Sequence, residues 1–525
     1  MALRLTRRSF LQTTAAAGLA VACAPAAGPA LAPKPTALTP VKGGNLIVAT
    51  AADLITLDPM GAGDGPSNFA MQFLYDRLLI EDADLKLQPQ LATSWEQTSD
   101  KVYTFKLRQG VKFHDGTVFD ANAVKAHFDR AIGPEKPLAS RSYIPWLEKT
   151  EVVDAYTVRF TTKVPYAFFT RLLAGISSAI PSPTAVTKYG KDYLKNPSGT
   201  GIFKFGEWVK DDHFVAVRND DYWGGAPFLD KVTIRPFPDP QARIIALQAG
   251  EIQYTADITP EQTETLRKDG RVNVVTKQGI SNTWLGMNVL KKPFDDIRVR
   301  QALNHAIDKQ AIVKNIYNGD AVALNGMASP NQIGFADTQG FAYDPAKAKS
   351  LLAAAGLASG FTTQLLSSTR YPKDLELMQF VQQQLKEVGV TANITQKEFA
   401  AFLEDLRKDP RNSPVQMWRD GRGGSNVADY WLSTFGCKAF RPAGANTNGS
   451  CDEGIDAIAT QAVGTVDEAK YNELAKQVQD RATPLAHSVW LFLPHNVVAT
   501  SKKLHDPLIT RTGTFRVETK TWMEP

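Results

Sequence analysis

An α/β fold of two or three domains is predicted by three observations. Runs of alternating apolar residues take turns along the chain with runs of helical period, no segment repeats internally, and 525 residues at 43% hydrophobic can bury a large core. The formal charge is +5, and three of those charges sit on Arg4, Arg7 and Arg8 at the extreme N-terminus. What remains is nearly balanced, without the clustered Lys and Arg that nucleic acid or an anionic membrane surface would need.

In chain order, residues 1–22 read as an export signal. Arginines precede an uncharged, Ala-rich run over 9–22 that is too poor in Leu, Ile and Val to span a membrane. Arg7-Arg8-Ser9-Phe10-Leu11 is similar to the twin-arginine consensus, with a general secretory signal as the alternative. Cys23 follows Leu19-Ala20-Val21-Ala22, a lipobox-like run with Ala20 where Leu is usual, and lipidation at Cys23 is expected. Ala30-Leu31-Ala32 offers a competing cleavage site, but Pro33 behind it disfavours cleavage. Residues 23–43, rich in Ala, Pro and Thr, are predicted to be a flexible tether.

Residues 44–50 (GNLIVAT) read as a first strand, followed by a Gly, Asp and Pro loop over 57–67 and a helix over about 68–79. Tyr103, Phe105 and Leu107 alternate with Thr104 and Lys106, as in a half-buried strand, and Asp115-Gly116 is a turn dipeptide. His114 beside Asp115 reads as a local hydrogen-bonding device rather than a metal or acid-base pair. Residues 121–131 form a predicted helix behind Asp120, with Val124 and Phe128 on one face. Another helix follows Asp295 or Asp296 as cap, where Val299, Leu303, Ala306 and Ile307 make the apolar stripe and His305 is a packed or surface residue. Helices are also expected over 346–356 and 375–388. Cys437 and Cys451, the cysteines left in an exported chain, are expected to pair, contributing roughly 3 kcal/mol by loop closure; two free thiols are the alternative.

Several motifs, in one order, resemble the peptide-type extracellular solute-binding proteins, the dipeptide, oligopeptide and nickel receptors of ABC importers. Residues 91–120, LATSWEQTSDKVYTFKLRQGVKFHDGTVFD, resemble that family's signature. Gly199-Thr200-Gly201-Ile202-Phe203 resembles its GTGPY with Ile202 for proline, and Arg218-Asn219-Asp220-Asp221-Tyr222-Trp223 its RNxDYW turn. The helix after Asp296 and Tyr343-Asp344-Pro345 also match, so the resemblance runs from about residue 44 to 522.

The resemblance implies a two-lobed periplasmic-binding-protein fold (type II, cluster C) with an extra subdomain in the first lobe. Carried onto this chain, residues 44–77, 201–277 and 487–525 make the composite first lobe, 78–200 the extra subdomain and 278–486 the second lobe. It also implies an exported, periplasmic monomer that captures a peptide or similar small solute between closing lobes. The partners implied are an ABC permease and its ATPase subunits, and a membrane is touched only through the lipid at Cys23. No cofactor and no catalysis are expected. Consistent with that, the sequence has no G-x-S-x-G, H-E-x-x-H or P-loop run.

Three segments are candidates for the ligand cleft. Asn282, Thr283 and Trp284 lie in the strand that enters the second lobe in the family, and Trp284 offers a broad apolar face with one donor. Arg370 and Tyr371 fall in the loop where dipeptide receptors place an arginine on the ligand carboxylate. Trp418, Arg419, Asp420 and Asp429 lie in the third segment, residues 418–432, where this chain departs from its relatives. Aligned on Trp431-Leu432, Val427 stands at the aspartate that pairs with a peptide's amino group, and Asp420 or Asp429 is the possible substitute. The departure, with Arg419 and Arg422 added, points to a solute other than a simple free-amine peptide, anionic or sugar-like. A metal-chelate receptor is a further alternative, with His487 and His495 the histidines of the last apolar run.

Overall fold

The strand Ser488–Ser501 organises the molecule. Its first half pairs antiparallel with Ser281–Met287, setting Trp284 opposite Trp490, and its second half with Val272–Gln278, setting Val275 opposite Val498. The sequence marks only an apolar run ending at His495, within one lobe; the strand instead continues for 14 residues and serves both halves of the fold. Pro494 lies inside it without breaking it, because its missing N–H falls where the two partner strands are separated. Its carbonyl accepts a hydrogen bond from Gly279 N in that gap, at 3.1 Å.

This computed structural model describes residues 39–61, 64–134, 146–256, 258–371, 373–442 and 444–525. The expected export signal, Cys23 and most of the tether lie outside them. On one side of the long strand the sheet continues through Tyr254–Thr255, Asn45–Thr50, Lys231–Pro236, His213–Arg218 and Phe203–Val209. On the other it continues through Ser281–Met287, Met417–Gly423, Phe361–Ser368 and Val390–Lys397. Each half has its own core, built around Leu46, Val48, Phe73 and Phe203 in one and Leu303, Leu365, Leu377 and Val381 in the other. No helix among the described residues is long and apolar enough to cross a membrane.

A separate antiparallel sheet runs Ala92–Ser99, Val102–Leu107, Thr157–Thr162, Leu147–Asp154. Tyr103, Phe105 and Leu107 are buried as their alternation predicts, and Phe105 meets Phe160 edge-on at 5.5 Å. The helix Ala121–Ile132 closes this core with Val124 and Phe128, and Asp120 caps it by accepting from the N–H groups of Asn122 and Ala123. Asp296 caps Ile297–Ala306 and Asp344 caps Pro345–Ala354, again as the sequence reads. His305 is packed, bonded to the carbonyl of Ala342 at 2.7 Å. Cys437 and Cys451 are joined.

The first helix departs from expectation. It spans Gly65–Leu74, capped by Asp64, and Leu79 already belongs to a short strand. Polar contacts end it: the Tyr75 hydroxyl donates to the carbonyl of Leu57 at 2.7 Å, and the next residue, Asp76, is fully engaged elsewhere.

His114 does more than a local turn requires. Its backbone N–H donates to the carbonyl of Gly199 at 2.8 Å, while its ring receives Gly199 N at Nδ1, 3.4 Å away. Nε2 therefore carries the proton and donates to the carbonyl of Gly201 at 3.0 Å. Burial pushes this imidazole down to about 4, so the ring stays neutral in that role. The glycines answer a steric demand: a Cβ on Gly201 would stand 2.4 Å from the carbonyl oxygen of Phe73 and 2.5 Å from the carbonyl carbon of Leu74. Gly201→Ala is expected to cost about 3 kcal/mol through forced backbone displacement, whereas Gly270→Ala, with nothing within 4 Å of the added carbon, should stay within about 0.5 kcal/mol of wild type. Urea unfolding of the two variants reads the contrast.

Candidate functional site

A cleft of about 670 Å³ opens between the two halves of the fold, beside the crossing strands. One wall is the outer face of Gly65–Leu74 with the segments around Arg77, Arg171 and Arg516; the other carries Ile280, Ile333 and Ser425. Five basic side chains line it against two acidic ones. A side pocket of about 220 Å³ shares Glu81, Arg171, Ala174 and Ser425 with it and leads to Tyr166.

Arg77 owes its place to the residue before it. The Asp76 carboxylate accepts from Gln90 Nε2 (2.7 Å), Trp223 Nε1 (2.8 Å), Thr200 Oγ1 (3.0 Å) and the Tyr222 hydroxyl (3.2 Å). The glycine turn and the aromatic turn singled out in the sequence thus converge on one buried carboxylate. Burial still wins over those four donors, and its pKa is raised to about 6. Arg77, fixed next to it, donates Nη1 to the carbonyl of Ala174 at 3.0 Å. Burial, and then the charge of Arg516, push Arg77 down to about 10.

The other basic residues are held differently. Arg171 is neutralised by Glu81 and bonds the carbonyl of Leu85. Arg516 donates Nε to Glu518 at 2.5 Å and Nη1 to the carbonyl of Glu81 at 2.9 Å. Arg511 spans the cleft to Asn331 Oδ1 at 2.9 Å, and Asn331 in turn donates to the carbonyls of Gln278 and Gly279, where the chain crosses between halves. Tyr254, Phe515 and Phe69 form an aromatic ledge beside them, with Tyr254 and Phe515 centroids 4.0 Å apart.

The nine residues singled out in the sequence all lie outside the lining of this cleft. Trp284 is buried against Trp490, Tyr430 and Phe435; Thr283 is buried beside it, and Asn282 donates to the carbonyl of Met327 at 2.7 Å. Trp418 packs with Leu366 and Phe402, its Nε1 3.4 Å from Asp420 Oδ2, and Asp420 also accepts from Gly421 N. Arg370 is exposed, its guanidinium 4.3 Å over the ring of Phe399. Asp429 accepts from the Tyr166 hydroxyl and from Asn426 Nδ2, both at 2.8 Å, and burial raises its pKa. Val427 opens the helix Val427–Thr434, with Asn426 as its cap.

Tyr371 and Arg419 do come together. The Arg419 guanidinium lies 3.6 Å over the ring of Tyr371, and its Nε is 3.0 Å from Asp374 Oδ1, a charge contact off the hydrogen-bond line. Asp374, which the sequence reading missed, opens the helix Asp374–Glu387 and is raised by burial despite that partner. Of the two histidines in the last apolar run, His487 packs against Trp431 at 5.6 Å and burial pushes it down to about 3, while His495 sits on the crossing strand. Among the described residues, no three His, Cys, Asp or Glu side chains are grouped to hold a metal.

The profile of the bacterial extracellular solute-binding proteins, family 5 Middle, matches residues 86–439. The glutathione-binding protein GsiB of Pectobacterium atrosepticum is 37% identical over 466 residues, covering 87% of this chain and 90% of that protein. GsiB of Salmonella typhimurium is 37% identical over 494 residues, covering 93% and 94%. Among solved structures, the periplasmic binding protein DppA of Helicobacter pylori, in complex with the peptide STSA, is similar with a TM-score of 0.79 at 28% identity, over 92% of this chain and 99% of that one.

Arg419→Met would leave the Asp374 carboxylate buried without its cation and is expected to cost about 3–5 kcal/mol. Adding Asp374→Asn should recover part of that loss, and denaturant unfolding of the two single variants and the double variant measures the coupling.

Proposed function

The chain belongs to the bacterial extracellular solute-binding proteins, family 5, and we propose that the solute it captures is a small anionic peptide of the glutathione class. As a member it is the extracytoplasmic receptor of an ABC importer, exported to the periplasm and working with a permease and its ATPase. The observation that supports the ligand is the cleft itself: about 670 Å³ between the halves, with basic side chains outnumbering acidic ones. That volume lies within the range that small-ligand sites occupy. Relatives at 36–37% identity carry the name glutathione-binding protein, and glutathione is a tripeptide with two carboxylates and one ammonium.

In this reading, residues 44–77, 201–277 and 487–525 form the first lobe, 78–200 its extra subdomain and 278–486 the second lobe, with the first half of Ser488–Ser501 serving as a strand of the second lobe. The lobes hinge on the crossing strands, and pairs such as Lys373–Glu261 (2.6 Å) and Arg511–Asn331 (2.9 Å) bridge them when closed. The solute adds contacts that only the closed arrangement offers, and closure is what the permease reads. Residues 1–22 direct export by the twin-arginine route, Cys23 carries the lipid, and the mature receptor is a monomer without catalytic activity.

Calorimetric titration of the mature protein with reduced glutathione is expected to give one site per chain with Kd of about 1 μM or tighter. Saturating peptide should raise the melting temperature, since ligand at a hundredfold over Kd adds about 2.7 kcal/mol. Neutral dipeptides should bind at least about tenfold more weakly, a loss of about 1.4 kcal/mol. Equal affinity for neutral and anionic peptides would refute the charge selection, and turnover of the peptide would refute a pure receptor.

A further inference from the structure

We propose that Arg77 and Arg516 together form a carboxylate-binding subsite on the first wall of the cleft, so that the receptor selects a solute with a carboxylate placed to bridge them. This rests on the reading of the solute as an anionic peptide. The two residues come from opposite ends of the chain and line the same cleft.

Their partners are unequal to their charges. Arg77 Nη1 donates to the neutral carbonyl of Ala174, and its Nη2 has no acceptor among the described residues. Among the described residues no carboxylate reaches salt-bridge distance of Arg77. Asp76 is adjacent in sequence, but four donors already occupy its oxygens. Arg516 spends Nε on Glu518 and Nη1 on the carbonyl of Glu81, which leaves Nη2 without an acceptor among the described residues. Arg77 and Arg516 are both partly buried, and Glu518 answers the charge of Arg516, so of these two neighbouring cations Arg77 is the one without an ion-pair partner among the described residues. Arg171 shows the contrast, because Glu81 compensates it inside the protein.

The Nη2 groups left over are N–H donors in rigid planes, and the two oxygens of one carboxylate can accept a bond from each. Bound there, it would restore the missing negative charge in a site shielded from water, where the interaction is strong. The ledge of Tyr254 and Phe515 gives the less polar middle of a peptide a surface next to its anchored end. A structural arginine, by comparison, would have its acceptors supplied by the fold.

The test combines ligand binding with the stability of the empty protein. Arg77→Met and Arg516→Met, made in the full chain, are titrated with glutathione, with its glycine monoethyl ester and with the analogue lacking the γ-glutamyl carboxylate. Each variant is expected to bind glutathione about 30-fold or more weakly. For one of the two analogues, the one missing the bridging carboxylate, wild type and variants should agree within about threefold. Separately, the ligand-free Arg77→Met protein should melt about 2 °C above wild type, because a partly buried cation without an ion-pair partner has been removed. Unchanged glutathione affinity in both variants, or a lowered melting temperature for empty Arg77→Met, overturns the subsite. Wild type that binds none of the three peptides is a different result, and it overturns the anionic-peptide reading itself.

Discussion

The fold depends on one hydrogen-bonded ladder. Ser488–Ser501 is long enough to be an interior strand twice, first beside Ser281–Met287 and then beside Val272–Gln278. Two strands on the same partner, separated by Gly279 and Ile280, fix the relative position of the sheet halves; between them, at Pro494, Gly279 bonds the carbonyl on one edge and the strand Ala321–Ala323 pairs on the other. Every backbone group that crosses must find a partner there or meet water. Asn331 supplies two of the needed bonds, and the cleft opens beside that stretch. The same strand thus belongs to both halves and sets the line along which they meet.

A second constraint holds the signature in place. His114 grips the glycine turn through the carbonyls of Gly199 and Gly201, and that turn lies against the end of the helix Gly65–Leu74 so closely that side chains cannot fit. Thr200 from the same turn, with Tyr222 and Trp223 from the next, closes on Asp76. Motifs far apart in the chain therefore serve one local purpose, which is to fix the backbone from which Arg77 reaches the cleft. The motifs are structural, and their product is the position of a residue that belongs to none of them.

That division explains what could be read in the sequence. Helices with an aspartate ahead of an apolar stripe were legible, as at Asp120, Asp296 and Asp344, because cap and stripe are local signals. The end of the first helix was not, since Leu78 and Leu79 continue its apolar run while polar contacts from Tyr75 and Asp76 stop it. An apolar run such as Val489–Leu493 announces burial but not its neighbours, so its service to both halves was hidden. The cleft was hidden for a related reason. A nearly balanced chain can still gather Arg77, Arg171, Arg511 and Arg516 on one surface, and nothing in the spacing of those residues says so. Large aromatics such as Trp284 and Trp418 suggested ligand contacts, yet they fill the second half's interior.

The segment that follows the small antiparallel sheet also leans on the far side of the cleft. Phe168 packs edge-on against Tyr471 at 4.9 Å, Ala167 N bonds the carbonyl of Val463, and the Tyr166 hydroxyl reaches Asp429. This seam is partly apolar, and the contacts named are between protein groups. Where capture closes the halves on each other, release requires these contacts to part along with the solute's own, so the seam adds to residence time. Receptors differing only at the seam would then release one solute at different rates, because the closed arrangement itself would be stabilised to different extents, and the permease would meet a complex whose lifetime the receptor helps to set.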